Sequence, residues 1–138
     1  MPAKDIYHNN VRTALEKDGW TITKDPLPLK IGKRTLSVDL GAEKLFAAEK
    51  QGRKIAVEVK SFVSASPVHD LEQAVGQYIV YEDILQRSEP ERIIYLAIRA
   101  EVYAEIFSEP IGQILLENKR FKLIVFDSLK ETIIRWID

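Results

Sequence analysis

Few folds accommodate the stretch of sequence from Lys54 to Ile98. Lys54-Ile55-Ala56-Val57-Glu58-Val59-Lys60 places Ile55, Val57 and Val59 on one side of a strand and Glu58 and Lys60 on the other. Residues 61–66 form a small, polar connection. Ser66 then suits the N-cap of a helix, Pro67 its first position, and Asp70 and Glu72 the positive end of its dipole. This helix is expected to reach Arg87. Val68, Leu71, Val75, Tyr78, Ile79 and Leu85 form its main apolar stripe, and Gln73, Gln77, Tyr81 and Ile84 a minor face. Residues 92–98 are nearly continuously apolar, as in a strand covered on both sides. Strand, helix and strand in that order predict a β-α-β unit with a right-handed crossover.

The flanking sequence extends this unit in both directions. Residues 5–18 read as an amphipathic helix that Gly19 ends, and residues 20–23 favour a short strand. Pro26 and Pro28 restrict residues 27–31 to an edge strand at most. Residues 34–40 alternate strictly, and residues 45–49 precede a turn at Gln51-Gly52-Arg53, so three strands here suggest an antiparallel meander. After the β-α-β unit, residues 100–107 and 110–118 read as helices and residues 121–126 and 132–137 as closing strands. The expected fold is α/β: one domain over residues 1–138, with a sheet of mixed direction flanked by helices.

Composition excludes several classes of function. The chain has no cysteine, hence no disulfide framework, thiolate zinc site or cysteine nucleophile. No apolar run approaches the roughly 20 residues of a membrane span, and the first residues lack the apolar core of a leader, so a soluble, cytoplasmic protein is expected. Phosphate-cradling and dinucleotide-binding glycine patterns are absent, as is a serine elbow. His8 and His69, the only histidines, are read as surface or capping residues. The net charge of −1 divides unevenly: residues 1–60 carry 12 Lys and Arg against 8 Asp and Glu, and residues 61–138 carry 8 against 13. Lys30, Lys33, Arg34, Arg53 and Lys54 belong to the basic part and are candidates for contacting DNA phosphates.

Chemistry is suggested by polar residues on apolar strands. Glu58 and Lys60 lie about 6.6 Å apart at roughly 3.3 Å per residue. If the 34–40 and 54–60 strands pair, Asp39 falls beside Glu58. Two carboxylates that close call for a cation between them, and hard oxygen ligands suit Mg²⁺ or Mn²⁺. Lys60 can then orient or help deprotonate a water, or stabilise charge on a phosphoryl oxygen. Taken alone, a Glu-x-Lys pair is more often a surface ion pair than a catalytic one. Gln77 and Tyr81, one helical turn apart, can face the same substrate or simply edge the helix.

Asp39, Glu58-Val59-Lys60 and Gln77-x-x-x-Tyr81 together resemble the PD-(D/E)xK nuclease superfamily, the helix element being similar to that of its RecB-like branch. More closely, the chain resembles the XisH family over essentially its whole length. The segments concerned are Pro2-Ala3-Lys4-Asp5-Ile6-Tyr7-His8, Asp18-Gly19-Trp20, Val38-Asp39-Leu40-Gly41-Ala42-Glu43, Ile55-Ala56-Val57-Glu58-Val59-Lys60-Ser61-Phe62 and the helix over residues 71–81. XisH proteins are known as controlling factors for excision of the fdxN element, a DNA rearrangement in cyanobacterial heterocyst differentiation. In that process a separate recombinase performs the excision and XisI is the companion factor.

The resemblance implies a restriction-endonuclease-like core in which Asp39, Glu58 and the Val59 carbonyl hold Mg²⁺ or Mn²⁺ and Lys60 is the catalytic lysine, with Gln77 and Tyr81 carried over from the helix. Asp5 and Glu16 both compete for the superfamily's first-helix acid. It also implies DNA, an XisI-like factor and the recombinase as partners, with a homodimer plausible by analogy. The alternative is a non-catalytic DNA- or protein-binding regulatory factor on the same fold.

Overall fold

The computed structural model describes residues 7–35 and 45–138. The elements run α1 (His8–Lys17), β1 (Thr21–Lys24), β2 (Lys30–Ile31), β3 (Arg34–Thr35), β4 (Leu45–Lys50), β5 (Arg53–Val59), α2 (Pro67–Ser88), β6 (Arg92–Arg99), α3 (Ala100–Ile106), α4 (Pro110–Glu117), β7 (Leu123–Asp127) and β8 (Thr132–Ile137). Six strands form a mixed sheet in the order β1-β4-β5-β6-β7-β8, and β2 and β3 pair separately. β5, β6 and β7 are parallel, while β1, β4 and β8 run antiparallel to their neighbours. The β-α-β unit is therefore present as expected.

Its connections follow from local chemistry. Gln51 and Gly52 both take positive φ, 51° and 82°, between the paired residues Lys50 and Arg53. That two-residue turn matches the twist of the hairpin it closes. Ser66 caps α2 by accepting from the His69 amide at 3.2 Å, with Pro67 in the first turn. Both crossovers, through α2 and through α3 and α4, cover the same face of the sheet. There Ala56, Leu96 and Leu123 meet Leu71, Ala74, Tyr78, Tyr81, Val102 and Ile106. On the other face Val11 and Leu15 of α1 pack with Phe46, Val57, Tyr95, Ile124 and Phe126.

Three expectations change. β5 is not half-exposed: residues 55–59 are all buried, because helices cover both faces of the sheet. The meander differs as well, since β4 lies between β1 and β5, and β3 pairs with β2. In α2 the buried stripe is Leu71, Ala74, Tyr78, Tyr81 and Leu85, spaced by alternating threes and fours, with Ile84 beside it. Val68 and Ile79, expected inside, are 41% and 40% exposed. Packing on a sheet selects residues by position, and small Ala74 allows the helix to approach closely.

No helix among the described residues is long and apolar enough to cross a membrane.

Candidate functional site

The carboxyl ends of parallel strands are where open α/β sheets present ligand-binding groups. Glu58 sits at that end of β5, 2% exposed, flanked by Leu45 of β4 and Leu96 of β6. It shares a face with Ala56, toward α2. Two residues on, half-buried Lys60 leaves the strand, its amide bonded to the Ala97 carbonyl at 3.2 Å. Its Nζ donates to Gln73 Oε1 at 3.2 Å. A buried carboxylate and a reachable ammonium thus stand together at the mouth of the central strand pair.

The connection beyond Lys60 is fastened at two points. Arg99, at the carboxyl end of β6, donates to the Ser61 carbonyl at 2.7 Å and lies 4.6 Å over the Tyr7 ring. Asp70, 4% exposed, accepts from the Ser64 amide at 3.2 Å. Sequence reasoning gave Asp70 only a dipole role and did not single out Arg99. The burial of Asp70 in the first turn of an otherwise exposed helix start is visible only in three dimensions.

Gln73, Gln77 and Tyr81 follow one another at single-turn spacing, as expected, but unequally. Gln73 is exposed and bonded to Lys60, Gln77 is half-buried, and Tyr81 is 2% exposed within the core. Tyr81 is therefore a core residue rather than a boundary one. The neighbouring Tyr78, not singled out as a site residue, donates to the Ile94 carbonyl at 3.1 Å and accepts from the Lys122 amide at 3.0 Å. Burial above all raises its phenol pKa, against the opposing Lys122 amide, with the charge of Glu58 a lesser contribution.

Asp39 and Asp5 lie outside the described residues. Both edges of β5 are taken by β4 and β6, and the described residues of the 34–40 segment, Arg34 and Thr35, pair with β2. Glu16 is exposed on α1, on the other face of the sheet from Glu58, so it does not join that site. Among the described residues no three His, Asp or Glu side chains gather as a metal cage. The oxygen donors in place are the Glu58 carboxylate and the Val59 carbonyl. This set fits Mg²⁺, which takes one or two carboxylates and keeps waters.

The basic candidates divide between the ends of β5. Lys30, Lys33 and Arg34 are exposed on the β2–β3 hairpin, whose leading segment is tied to the Glu58 end by the Leu27 amide on the Leu45 carbonyl at 2.9 Å. Arg53 and Lys54 lie at the opposite end of β5; Lys54 Nζ is 3.7 Å from Glu91 Oε1. One further misreading concerns His8. It is 1% exposed, with Nε2 2.7 Å from Asp25 Oδ2, which Arg12 also contacts at 2.9 Å.

Fold and site together define an α/β protein with a carboxylate–lysine pair at the carboxyl end of its central parallel strands. The family model for XisH protein matches residues 1–134, and the chain belongs to the XisH family. The crystal structure of an XisH family protein from Nostoc punctiforme PCC 73102 is similar, with a TM-score of 0.88 and 39% identity over 97% of this chain and 100% of that one. A fdxN element excision controlling factor protein from Anabaena variabilis has a TM-score of 0.88 and 40% identity over 98% of this chain and 100% of that one. No curated protein matches the chain.

Proposed function

We propose that this protein takes part in controlling excision of a DNA element, as its Anabaena variabilis relative is named for, and that it does so as a metal-dependent phosphodiester hydrolase with a restriction-endonuclease-like core. The observation that carries the reading is Glu58, buried at the carboxyl end of the central strand, with Lys60 two residues on and accessible. Asp39, Glu58 and the Val59 carbonyl would hold Mg²⁺ or Mn²⁺. That ion, when bound, would polarise the scissile phosphate and lower the pKa of a coordinated water.

The chain's own residues supply the rest. Lys60 places a positive charge where negative charge develops on the phosphoryl oxygens, and Gln73 holds the ammonium in place. Gln77 is the half-buried polar group facing the substrate, whereas Tyr81 sets the helix against the sheet. Lys30, Lys33 and Arg34 contact phosphates without reading bases. Partners in this reading are DNA, an XisI-like factor and the recombinase.

A second reading is a non-catalytic regulatory factor on the same fold. It is favoured by an apolar cleft of about 360 Å³ between α2 and α4, lined by Leu71, Val75, Gly76, Ile111 and Leu115, which suits protein contact better than DNA.

The deciding experiment is incubation of supercoiled and single-stranded DNA with Mg²⁺ and then Mn²⁺, comparing wild type with Lys60→Ala. Metal-dependent nicking lost in the variant supports the hydrolase. No cleavage of either substrate, with or without an XisI-like factor, supports the regulatory reading.

A further inference from the structure

The other end of β5 carries a second cleft, of about 280 Å³, lined by Asp18, Trp20, Lys50, Arg53, Trp136 and Asp138. It lies beside the β4–β5 turn, five residues along the strand from Glu58 or roughly 16 Å at strand rise. The indoles of Trp20 and Trp136 are 5.6 Å apart between centroids and tilted by 35°. Tyr95 fixes Trp136 from the side, edge to face at 5.0 Å and 84°. The Arg53 guanidinium lies 5.4 Å over the Trp20 ring. Lys50 Nζ is anchored on the Asp18 carbonyl at 2.5 Å. Trp20 is 3% exposed, and its Nε1–H is buried without an acceptor among the described residues. Trp136 is half-buried and Arg53 exposed, so part of an indole and a guanidinium can be reached from the cleft.

The chemistry of this lining selects its occupant. Aromatic faces favour a flat ring or a cation. Lys50 and Arg53 bring two positive charges to the cleft, and Asp18 and Asp138 two negative ones. Lys50 Nζ stands 3.9 Å from Asp18 Oδ2 and the Tyr95 hydroxyl donates to Asp138, which leaves exposed Arg53 as the charge most open to a ligand. A flat ring carrying an anionic group fits both features: the ring lies against Trp136, and the anion meets the exposed Arg53 guanidinium. The carboxylates of Asp18 and Asp138 can accept from ring or amino N–H groups. The volume lies just below the roughly 300–1,000 Å³ of small-molecule clefts, enough for one such unit. Basic groups interleaved with aromatic faces are also how unpaired bases are held along a strand.

We propose that this cleft binds a single nucleotide through its base and phosphate, either free or as an unpaired residue of a nucleic-acid strand. The site is separate from the Glu58–Lys60 end and does not depend on hydrolysis there.

The test exploits the fact that the chain has only two tryptophans, both in the cleft. The full chain is titrated by tryptophan fluorescence with deoxythymidine monophosphate, with a short single-stranded oligothymidylate, and with the same oligonucleotide in a duplex. Saturable quenching by the single strand or the mononucleotide is expected, weakened about tenfold or more in Trp136→Leu and in Arg53→Gln. Arg53 is exposed, so its substitution leaves the fold intact if Trp136→Leu does not. Quenching by the mononucleotide as well as the strand identifies a free nucleotide as sufficient; quenching by the strand alone identifies an unpaired residue. Lys60→Ala is expected to bind as wild type does, separating this site from the proposed hydrolytic one. The proposal is overturned by the absence of saturable quenching, by equal quenching with duplex, by wild-type affinity in Arg53→Gln, or by displacement of thymidylate with deoxyribose phosphate, which lacks the base.

Discussion

Lys60 Nζ donates to Gln73 Oε1 at 3.2 Å, one helical turn before the glutamine that the Gln77-x-x-x-Tyr81 pattern points to. The bond joins the end of the central strand to the first half of the crossover helix and restrains the ammonium of the residue two after Glu58. Because Gln73 is exposed, Gln73→Ala should shift stability by no more than about 0.5 kcal/mol. If Lys60 acts in hydrolysis, the same substitution lowers metal-dependent nicking about tenfold while the urea midpoint stays in place. Nicking at the wild-type rate would show that Gln73 does not position the lysine.

Tyr78 ties three elements together through one hydroxyl, from α2 to the Ile94 carbonyl of β6 and the Lys122 amide just before β7. Tyr78→Phe keeps the ring, and with it the edge-to-face contact on Phe121, but removes both hydrogen bonds. The hydroxyl is fully buried, so losing it should cost about 1–3 kcal/mol. Urea unfolding of Tyr78→Phe against wild type measures this directly, and a change below about 0.5 kcal/mol would mean that relaxation or water replaces the hydroxyl.

The β-α-β unit was legible because its signals are local: an alternating strand, a Ser-Pro cap and a nearly continuous apolar strand. The burial of Glu58 was not, since alternation in residues 54–60 describes one covered face and cannot report that α2 covers the other. Within α2, hydrophobicity pointed to Val68 and Ile79, yet the sheet takes Ala74 and Tyr81 instead. Side-chain polarity carries no information about which turn of a helix meets a given strand. His8 and Asp25 are 17 residues apart on α1 and on the loop after β1, so their contact had no sequence signature at all. The Glu58-x-Lys60 spacing was readable, whereas Gln73 as the lysine's partner needed the helix to be set against β5.

Gly112, in α4, lies against the end of α3. A Cβ at this position would stand 2.6 Å from Phe107 Cα and closer still to the Ile106 carbonyl oxygen. Both obstacles are backbone, which cannot rotate aside. Gly112→Ala should therefore destabilise the protein by about 1–3 kcal/mol, despite the better helix propensity of alanine. A denaturation midpoint equal to or above that of wild type would show that α3 and α4 can separate at little cost.

Two buried tyrosines give stability a definite alkaline dependence. The phenol of Tyr95 is pushed up to about 12, first by burial and then by its hydrogen bond to Asp138, with Arg53 opposing. Tyr78 is raised as well, again chiefly by burial. In the unfolded chain tyrosines titrate near 10. Between about pH 10 and 12 the unfolded chain therefore sheds protons that the folded protein retains, and folding stability falls as pH rises through this window. Below about pH 10 both states keep these protons, so the two tyrosines add no slope. Urea midpoints measured from pH 9 to 12 should decline in wild type and decline less steeply in Tyr95→Phe, which has no phenol to ionise. An unchanged slope in that variant would place the titration of Tyr95 at an ordinary value and remove its share of the effect.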